Sequence, residues 1–350
     1  MKIVANSKIL INIPKIYGGV YDHYWGLYPY WSEDVYYNPI GRRSWRKWSG
    51  LLWFPWDLIR FSLIILFKRP DIVIINPSFT FSAITRDALF LKISLFFQKK
   101  TVVFIHGWHK NEERKMKKEK IKKLFNKTSA VIVLAEEFKS SLLKIGITTP
   151  IYITSTKVND NLLNGFQIEK RMGDVNTILF LARIEKEKGI FILVDTFIIL
   201  KKKYPRLKLR IVGSGTVLSE IMEYVKVSKV KDVYFTGRLS GEQISKEFTE
   251  ADLYILPTTH GEGMPASVLE AMAFGLPVIT RPVGGLVDFF TNQMGSLLES
   301  LEPKNYAEEI EKYIQSPELT KKVSIFNFFF AKENFLASSV AKKIEDIVKL

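Results

Sequence analysis

The stretch Thr259-His260-Gly261-Glu262-Gly263-Met264-Pro265-Ala266-Ser267-Val268-Leu269-Glu270 sets two carboxylates eight residues apart across a glycine-rich turn and a proline. Proline lacks an N–H and has a fixed φ, so Pro265 fits the first position of a helix, where its donor would go unused anyway. The N–H groups that follow, beginning at Ala266 and Ser267, then point out of the helix start and form an anion site made of backbone. Glu262 stays in the loop and Glu270 falls in the second turn. Gly275, with Pro277 beyond, stops the helix. Carboxylates accept hydrogen bonds from hydroxyls. The segment therefore suits a ligand with phosphate in its middle and sugar hydroxyls at both ends, a nucleotide-sugar.

Breaking the bond from a sugar to a diphosphate requires the departing charge to be neutralised by a metal or by cations and N–H donors. Arg183 and Lys188, in the run LARIEKEKG, are placed for this at the end of an apolar strand. Arg can grip phosphate with two parallel bonds and Lys acts as a point charge. Gly18-Gly19 follows the first apolar strand, where a missing Cβ lets backbone approach a phosphate. His106 closes the strand TVVFIH, and His109 and His260 are weaker candidates for the same ligand. No residue stands out as a covalent nucleophile.

These motifs need elements to hold them. In the carboxy-terminal half, strands are expected at 177–184, 207–212, 233–236, 253–257 and 278–280. Helices are expected at 190–204, 217–228, 241–251 and 266–274. Short apolar strands alternating with amphipathic helices mean a parallel, doubly wound sheet, whose ligands bind outside the carboxyl ends of the strands. The amino half repeats this less regularly, with strands at 8–13, 71–76, 101–106 and 130–134 and helices at 50–67, 81–98, 112–126 and 136–145. Two further helices are expected at 305–316 and 318–350. The polar stretch 157–176 reads as the linker.

The Glu262/Glu270 pair resembles the Glu-x7-Glu motif of retaining GT-B glycosyltransferases, in particular family 4. Phe180–Gly189 resembles the family's Gly-Arg-x4-Lys-Gly element, with Ala182 in place of the glycine. Ile211–Gly215 resembles its Gly-x-Gly turn, Phe235–Gly237 its Phe-x-Gly, and Pro277–Ile279 with Gly284-Gly285 its Pro-Val-Ile…Gly-Gly segment; Asp288 stands near the family's usual Glu. The resemblance implies an α/β GT-B fold: two Rossmann-like doubly wound parallel-sheet domains facing a cleft. It implies an amino domain over 1–160, joined by a last helix over about 331–350, and a nucleotide-sugar domain over 173–330. It implies His106 and Glu262 as catalytic contacts to the transferred sugar. Gly18, Gly19, Arg183, Lys188, Gly213, Gly263, Met264, Pro265, Ala266, Ser267 and Glu270 would bind the donor, with Glu270 on the ribose. No metal or other cofactor is expected, and no two aspartates lie two residues apart.

The implied activity is transfer of a hexose from a UDP- or GDP-sugar to a hydroxyl of a glycan, lipid-linked, in bacterial surface polysaccharide assembly. The alternatives are a nucleotide-sugar 2-epimerase of similar fold and a non-catalytic nucleotide-sugar or nucleic-acid binding protein. An epimerase needs further acid–base carboxylates, which the sequence does not offer, and the intact Arg183, Lys188, Glu262 and Glu270 argue against a mere binder.

The 350 residues contain no cysteine, which removes disulfides and thiolate metal sites. The four histidines are scattered. The net charge of +15 is lopsided, about +14 of it within residues 1–170. Two blocks dominate there: 41–60, GRRSWRKWSGLLWFPWDLIR, and 110–127, KNEERKMKKEKIKKLFNK. Cations mixed with Trp and Leu suit an anionic membrane surface. No nucleic-acid recognition motif accompanies them. The run Ile9–Ile13 is too short for a signal core, and Leu51–Phe67, with Asp57, Arg60 and Pro55, reads as a buried or interfacial helix. The expected location is cytoplasmic, peripheral on the inner face of the cell membrane.

Overall fold

The computed structural model describes residues 6–16, 18–43, 49–77, 81–107, 118–259, 261 and 263–350. The chain divides into two compact units. One is Met1–Lys157 with Glu262–Met264 and Ala337–Leu350; the other is Val158–Gly261 with Pro265–Leu336. The first therefore ends at 157 rather than 160, and the second begins at 158 rather than 173. Residues 158–172 are not a free linker: they carry two 3-10 turns, Asp160–Leu163 and Ile168–Lys170. Ile168 is buried, and Arg171 donates to three main-chain carbonyls of the second unit, those of Phe248, Ala251 and Phe274.

The first unit contains β1 (Lys8–Pro14), α1 (Gly19–Leu27), β2 (Asp34–Ile40), α2 (Ser49–Lys68), β3 (Ile72–Ile75), α3 (Phe81–Phe96), β4 (Lys100–Phe104), α4 (Lys118–Phe125), β5 (Ala130–Val133), α5 (Glu136–Lys144) and β6 (Ile151–Ile153). Its sheet is wholly parallel in the order β2-β1-β3-β4-β5-β6. Strands such as Ile-Val-Ile-Ile and Ala-Val-Ile-Val are buried along their whole length, as strands covered on both faces must be. Three elements were not expected: α1, β2 and β6. β2 holds Pro39, which is tolerated because this strand lies at the sheet edge. Of the helix expected over 112–126, residues 112–117 lie outside the described residues.

The second unit contains β7 (Thr177–Leu181), α6 (Ile190–Lys203), β8 (Lys208–Val212), α7 (Leu218–Val227), β9 (Val233–Gly237), α8 (Glu242–Glu250), β10 (Leu253–Leu256), α9 (Ala266–Ala273), β11 (Val278–Thr280), β12 (Gly295–Leu297), α10 (Pro303–Gln315) and α11 (Pro317–Asn334). Its sheet is also parallel, in the order β12-β11-β10-β7-β8-β9. The helix expected over 318–350 is two helices. It breaks at Phe335–Leu336, where Leu336 bridges Val158 and the Phe335 carbonyl accepts from the Val158 N–H at 2.7 Å. The second piece, α12 (Ala337–Lys349), belongs to the first unit, so the return falls at 336/337 rather than about 331. Ala337, Val340, Ala341, Ile344 and Val348 complete the first unit's core.

Candidate active site

The second sheet grows outward from β7 through β8 to β9 and then resumes on the other side of β7 with β10. The gap between the carboxyl ends of β7 and β10 is a topological switch point, where doubly wound sheets bind their ligands. Arg183 lies just past β7, exposed. The loop after β10 leads to α9. The two edges of the gap are tied together by hydrogen bonds. The Tyr254 hydroxyl of β10 lies 3.1 Å from the Leu181 carbonyl at the end of β7 and 2.7 Å from Ser267 Oγ at the start of α9. The Glu187 carbonyl, beside Lys188, accepts from the N–H of Thr259 at 2.7 Å and the hydroxyls of Thr258 and Thr259 at 3.1 and 3.2 Å.

Two glycines here are dictated by backbone packing. Gly213 has φ +141, and a Cβ on it would stand 1.9 Å from the Ala182 carbonyl oxygen. Gly189 has φ +77, and its Cβ would stand 2.1 Å from the Pro257 carbonyl oxygen. Both loops close on their neighbours so tightly that only glycine fits. At Gly213 the neighbouring loop alone is enough to require glycine.

Pro265 is the N-cap of α9 and not its first helical residue, with φ −71 and ψ 106. Its carbonyl receives the N–H of Val268 at 3.1 Å, so the N–H groups of Ala266 and Ser267 precede the first intrahelical donor. Glu270 is half-buried in the second turn. Lys188 is buried, unlike the neighbouring exposed Lys186. Glu185, just before Lys186, is held by the Thr216 N–H and hydroxyl, which, with the nearby Arg183, keeps its carboxyl below its usual range.

In the first unit the switch point lies between β1 and β3. Gly18 and Gly19 follow β1. Gly18 is extended at φ 175 and caps α1, and a Cβ on either glycine would meet open space. Beside them sits a buried polar cluster that the sequence reading missed, apart from His106. The Asn76 Nδ2 donates to the Asn12 carbonyl at 2.7 Å, which fixes the way its amide faces. The Asn76 Oδ1 then accepts from the Tyr24 hydroxyl at 2.7 Å and meets His106 Nε2 at 3.2 Å. An acceptor at that distance places the ring proton on Nε2 and the lone pair on Nδ1. Burial lowers the His106 pKa to about 3, so the ring is neutral. It stacks on Phe104 at 3.8 Å and meets His23 edge-on at 4.9 Å. His23 is buried and neither ring nitrogen has a hydrogen-bond partner among the described residues; burial first, then His106 and Lys157, push its pKa well down. The available signal was an Asn closing or interrupting three apolar runs, at Asn12, Asn38 and Asn76.

Arg183, Lys188, Gly213, Pro265, Ala266, Ser267 and Glu270 lie in the second unit, and Gly18, Gly19 and His106 in the first. Gly263 and Met264 count with the first unit: Met264 packs on its core, and a Cβ on Gly263 would lie 3.1 Å from the His106 carbonyl oxygen. His109, His260 and Glu262 lie outside the described residues. Among the described residues no three or more of His, Cys, Asp and Glu gather as a metal site would require.

The fold is shared along nearly its whole length with solved glycosyltransferase-fold structures. Anabaena Alr3699/HepE, solved in complex with UDP, superposes with a TM-score of 0.72 at 14% identity, covering 98% of this chain and 99% of that one. The α/β architecture is therefore that of the GT-B enzymes. Among curated sequences, the capsular polysaccharide biosynthesis glycosyltransferase CapM of Staphylococcus aureus is 31% identical over 193 residues, 54% of this chain and 50% of CapM. An uncharacterized glycosyltransferase of Methanocaldococcus jannaschii, MJ1069, is 25% identical over 301 residues, 79% of this chain and 74% of its own length. The chain spans about half the length, or less, of the curated relatives it matches at 30% identity or more. Residues 164–326, nearly all of the second unit, match the family model described as glycosyl transferases group 1.

Proposed function

We propose that the protein is a retaining glycosyltransferase that moves a hexose from a UDP- or GDP-sugar to a hydroxyl of a lipid-linked glycan, without a metal ion, in the assembly of a surface polysaccharide at the cytoplasmic face of the membrane. The observation that carries this reading is the Tyr254 hydroxyl, which sits between the strand end that leads to Arg183 and the helix start that presents backbone N–H groups. Cation and N–H donors are thereby held at one switch point, as an anionic leaving group requires. The family match over 164–326 and the polysaccharide role in the name of CapM support the acceptor class, and the UDP in the Anabaena structure supports the donor class.

In the proposed reaction the bond from sugar C1 to the diphosphate oxygen breaks, and its electron pair leaves on the phosphate. The acceptor oxygen bonds to C1 on the same face, and its proton passes to the departing phosphate. Arg183, Lys188 and the N–H groups of Ala266 and Ser267 neutralise the charge as it develops. Glu270 accepts the ribose hydroxyls, and Glu262 accepts from the transferred sugar. His106, neutral with its lone pair on Nδ1, can accept a sugar hydroxyl but cannot act as an acid at neutral pH. The test is calorimetry with UDP, GDP and ADP and their sugars, with and without EDTA, followed by anomeric analysis of the transfer product. Binding of a uridine or guanosine sugar that persists in EDTA, and a product of unchanged anomeric configuration, are expected. Binding abolished by EDTA, or an inverted product, would overturn the metal-free or the retaining part respectively.

A further inference from the structure

We infer that the outer face of the layer formed by α2, α3 and α4 is a docking surface for an anionic lipid bilayer. The face has three independent features. The first is an apolar stripe left exposed among the described residues. Leu52, Trp56, Ile59, Leu63 and Leu66 follow one another at alternating four- and three-residue steps along α2 and are 43–66% exposed; Phe67 is 80% exposed. The opposite side of the same helix, with Phe61 and Ile65, is buried in the core. A water-facing helix should have its polar side outward; this one has apolar residues on both sides.

The second feature is an open groove of about 1050 Å³ between α3 and α4. Its floor is apolar, with Ile84, Ala88, Leu95, Ile121 and Leu124, and Phe96 stands 80% exposed at its end. Lys92, Lys120, Lys123 and Lys127 rim it.

The third feature is the sign of the exposed charge. The acids of α2 and α3, Asp57 and Asp87, are buried and already engaged, which leaves Glu119 of α4 as the exposed acid among the described residues of these three helices. Asp57 is held by Arg43 and by the Gly41 N–H, with Arg60 3.9 Å away, and Asp87 by Arg86 at 2.7 Å. Arg43 and Arg60 of the 41–60 block are thus turned toward Asp57. Among the described residues, cations available to a partner on this face include Lys68 and Arg69 at the end of α2 and the four lysines of the groove.

An apolar stripe edged by cations fits an interface of acyl chains beneath anionic headgroups. A second copy of the chain would set lysine against lysine on the same face. Nor does the stripe mark a spanning segment, since among the described residues no helix is long and apolar enough to cross a membrane. The helix would lie in the interface plane, with the groove open to lipid chains.

The experiment is co-sedimentation of the full chain with vesicles of phosphatidylcholine alone and of phosphatidylcholine mixed with phosphatidylglycerol, at low and high salt, with tryptophan emission recorded on the same samples. Binding to the anionic vesicles only, weakened by salt and accompanied by a blue shift, is expected. The shift should shrink in Trp53→Phe/Trp56→Phe, two exposed residues whose replacement keeps the ring and the fold. Lys120→Glu/Lys123→Glu/Lys127→Glu should weaken binding by about a hundredfold, and Leu66→Glu/Phe67→Glu should remove the blue shift. UDP affinity, measured on every variant, should stay at the wild-type value, so that loss of lipid binding is separated from failure of the proposed activity and from misfolding. Equal recovery in the supernatant with both vesicle types would overturn the proposal. So would anionic binding without any blue shift, or a lipid-free dimer that Leu66→Glu/Phe67→Glu dissociates.

Discussion

The two sheets are near-copies in topology: six parallel strands, with the order reversing beside the first strand of each. They differ in what occupies the reversal. In the second unit it is lined by main-chain groups and a few side chains pinned by carbonyls, with Arg183 left exposed. In the first it is filled by a network of buried Asn12, Asn76 and Tyr24 with the half-buried His106, while the outward layer shows apolar side chains and lysines. One unit keeps its polarity available for a ligand. The other turns polarity inward and apolar surface outward. A repeated fold therefore sets where a site can form, while the side chains at the strand ends decide whether it binds, positions or docks.

This contrast can be broken by substitution. Arg183→Ala should have the largest effect, lowering kcat by about 10²–10³, the range for removing one donor to developing negative charge. Unchanged turnover on a nucleotide-sugar would mean that the second unit's exposed cation does no electrostatic work. Glu270→Ala should weaken UDP or GDP binding by about 1.5–3 kcal/mol in calorimetry while leaving the thermal midpoint nearly in place.

The first unit should respond to pH through its histidines. Unfolded histidines take up protons below about pH 6.5, whereas His106 stays neutral in the fold down to about 3. Unfolding therefore takes up protons in that window, and stability falls as pH drops from 6.5 toward 3. By pH 5 the loss is about 2 kcal/mol for His106, with His23 acting in the same direction. Denaturant midpoints between pH 7 and 5 check this, and His106→Gln should flatten the fall. The smallest effect is expected for Tyr254→Phe. Losing one bridging hydroxyl should reduce nucleotide affinity by about 1 kcal/mol with little change in fold. An effect as large as that of Arg183→Ala would make Tyr254 a direct ligand contact.

Continuous apolar runs and the amphipathic helices between them were legible: β3, β5 and β8 lie within two residues of expectation, and the Pro277-Val278-Ile279 motif marked β11 although it has only three residues. β6 and β12, equally short and without such a motif, were not, and β2 was hidden by Pro39, which only an edge position permits. The break at Phe335–Leu336 has no Gly or Pro to announce it; it is made by pairing with Val158, more than 170 residues away in sequence. In the site, Arg183 and the α9 start were legible from spacing. Tyr254 was not, because a tyrosine inside an apolar strand reads as core until its hydroxyl is seen to reach two loops. Asn76 was missed because a single Asn closing an apolar run reads as an ordinary strand end.

The last helix has a consequence for the order in which the molecule matures. The first unit's core includes Val340, Ile344 and Val348, and Glu345 takes the N–H groups of Ser32 and Glu33 at 2.7 and 3.0 Å. A ribosome delivers these residues after every strand of both sheets. The second unit's main body, by contrast, runs from 158 to 336 and is interrupted only at Glu262–Met264. On a nascent chain the second unit can close while the first, though made earlier, still waits for its final helix. The α1 surface that this helix packs against stays open for that interval, which places the risk of misassembly during synthesis in the amino-terminal half.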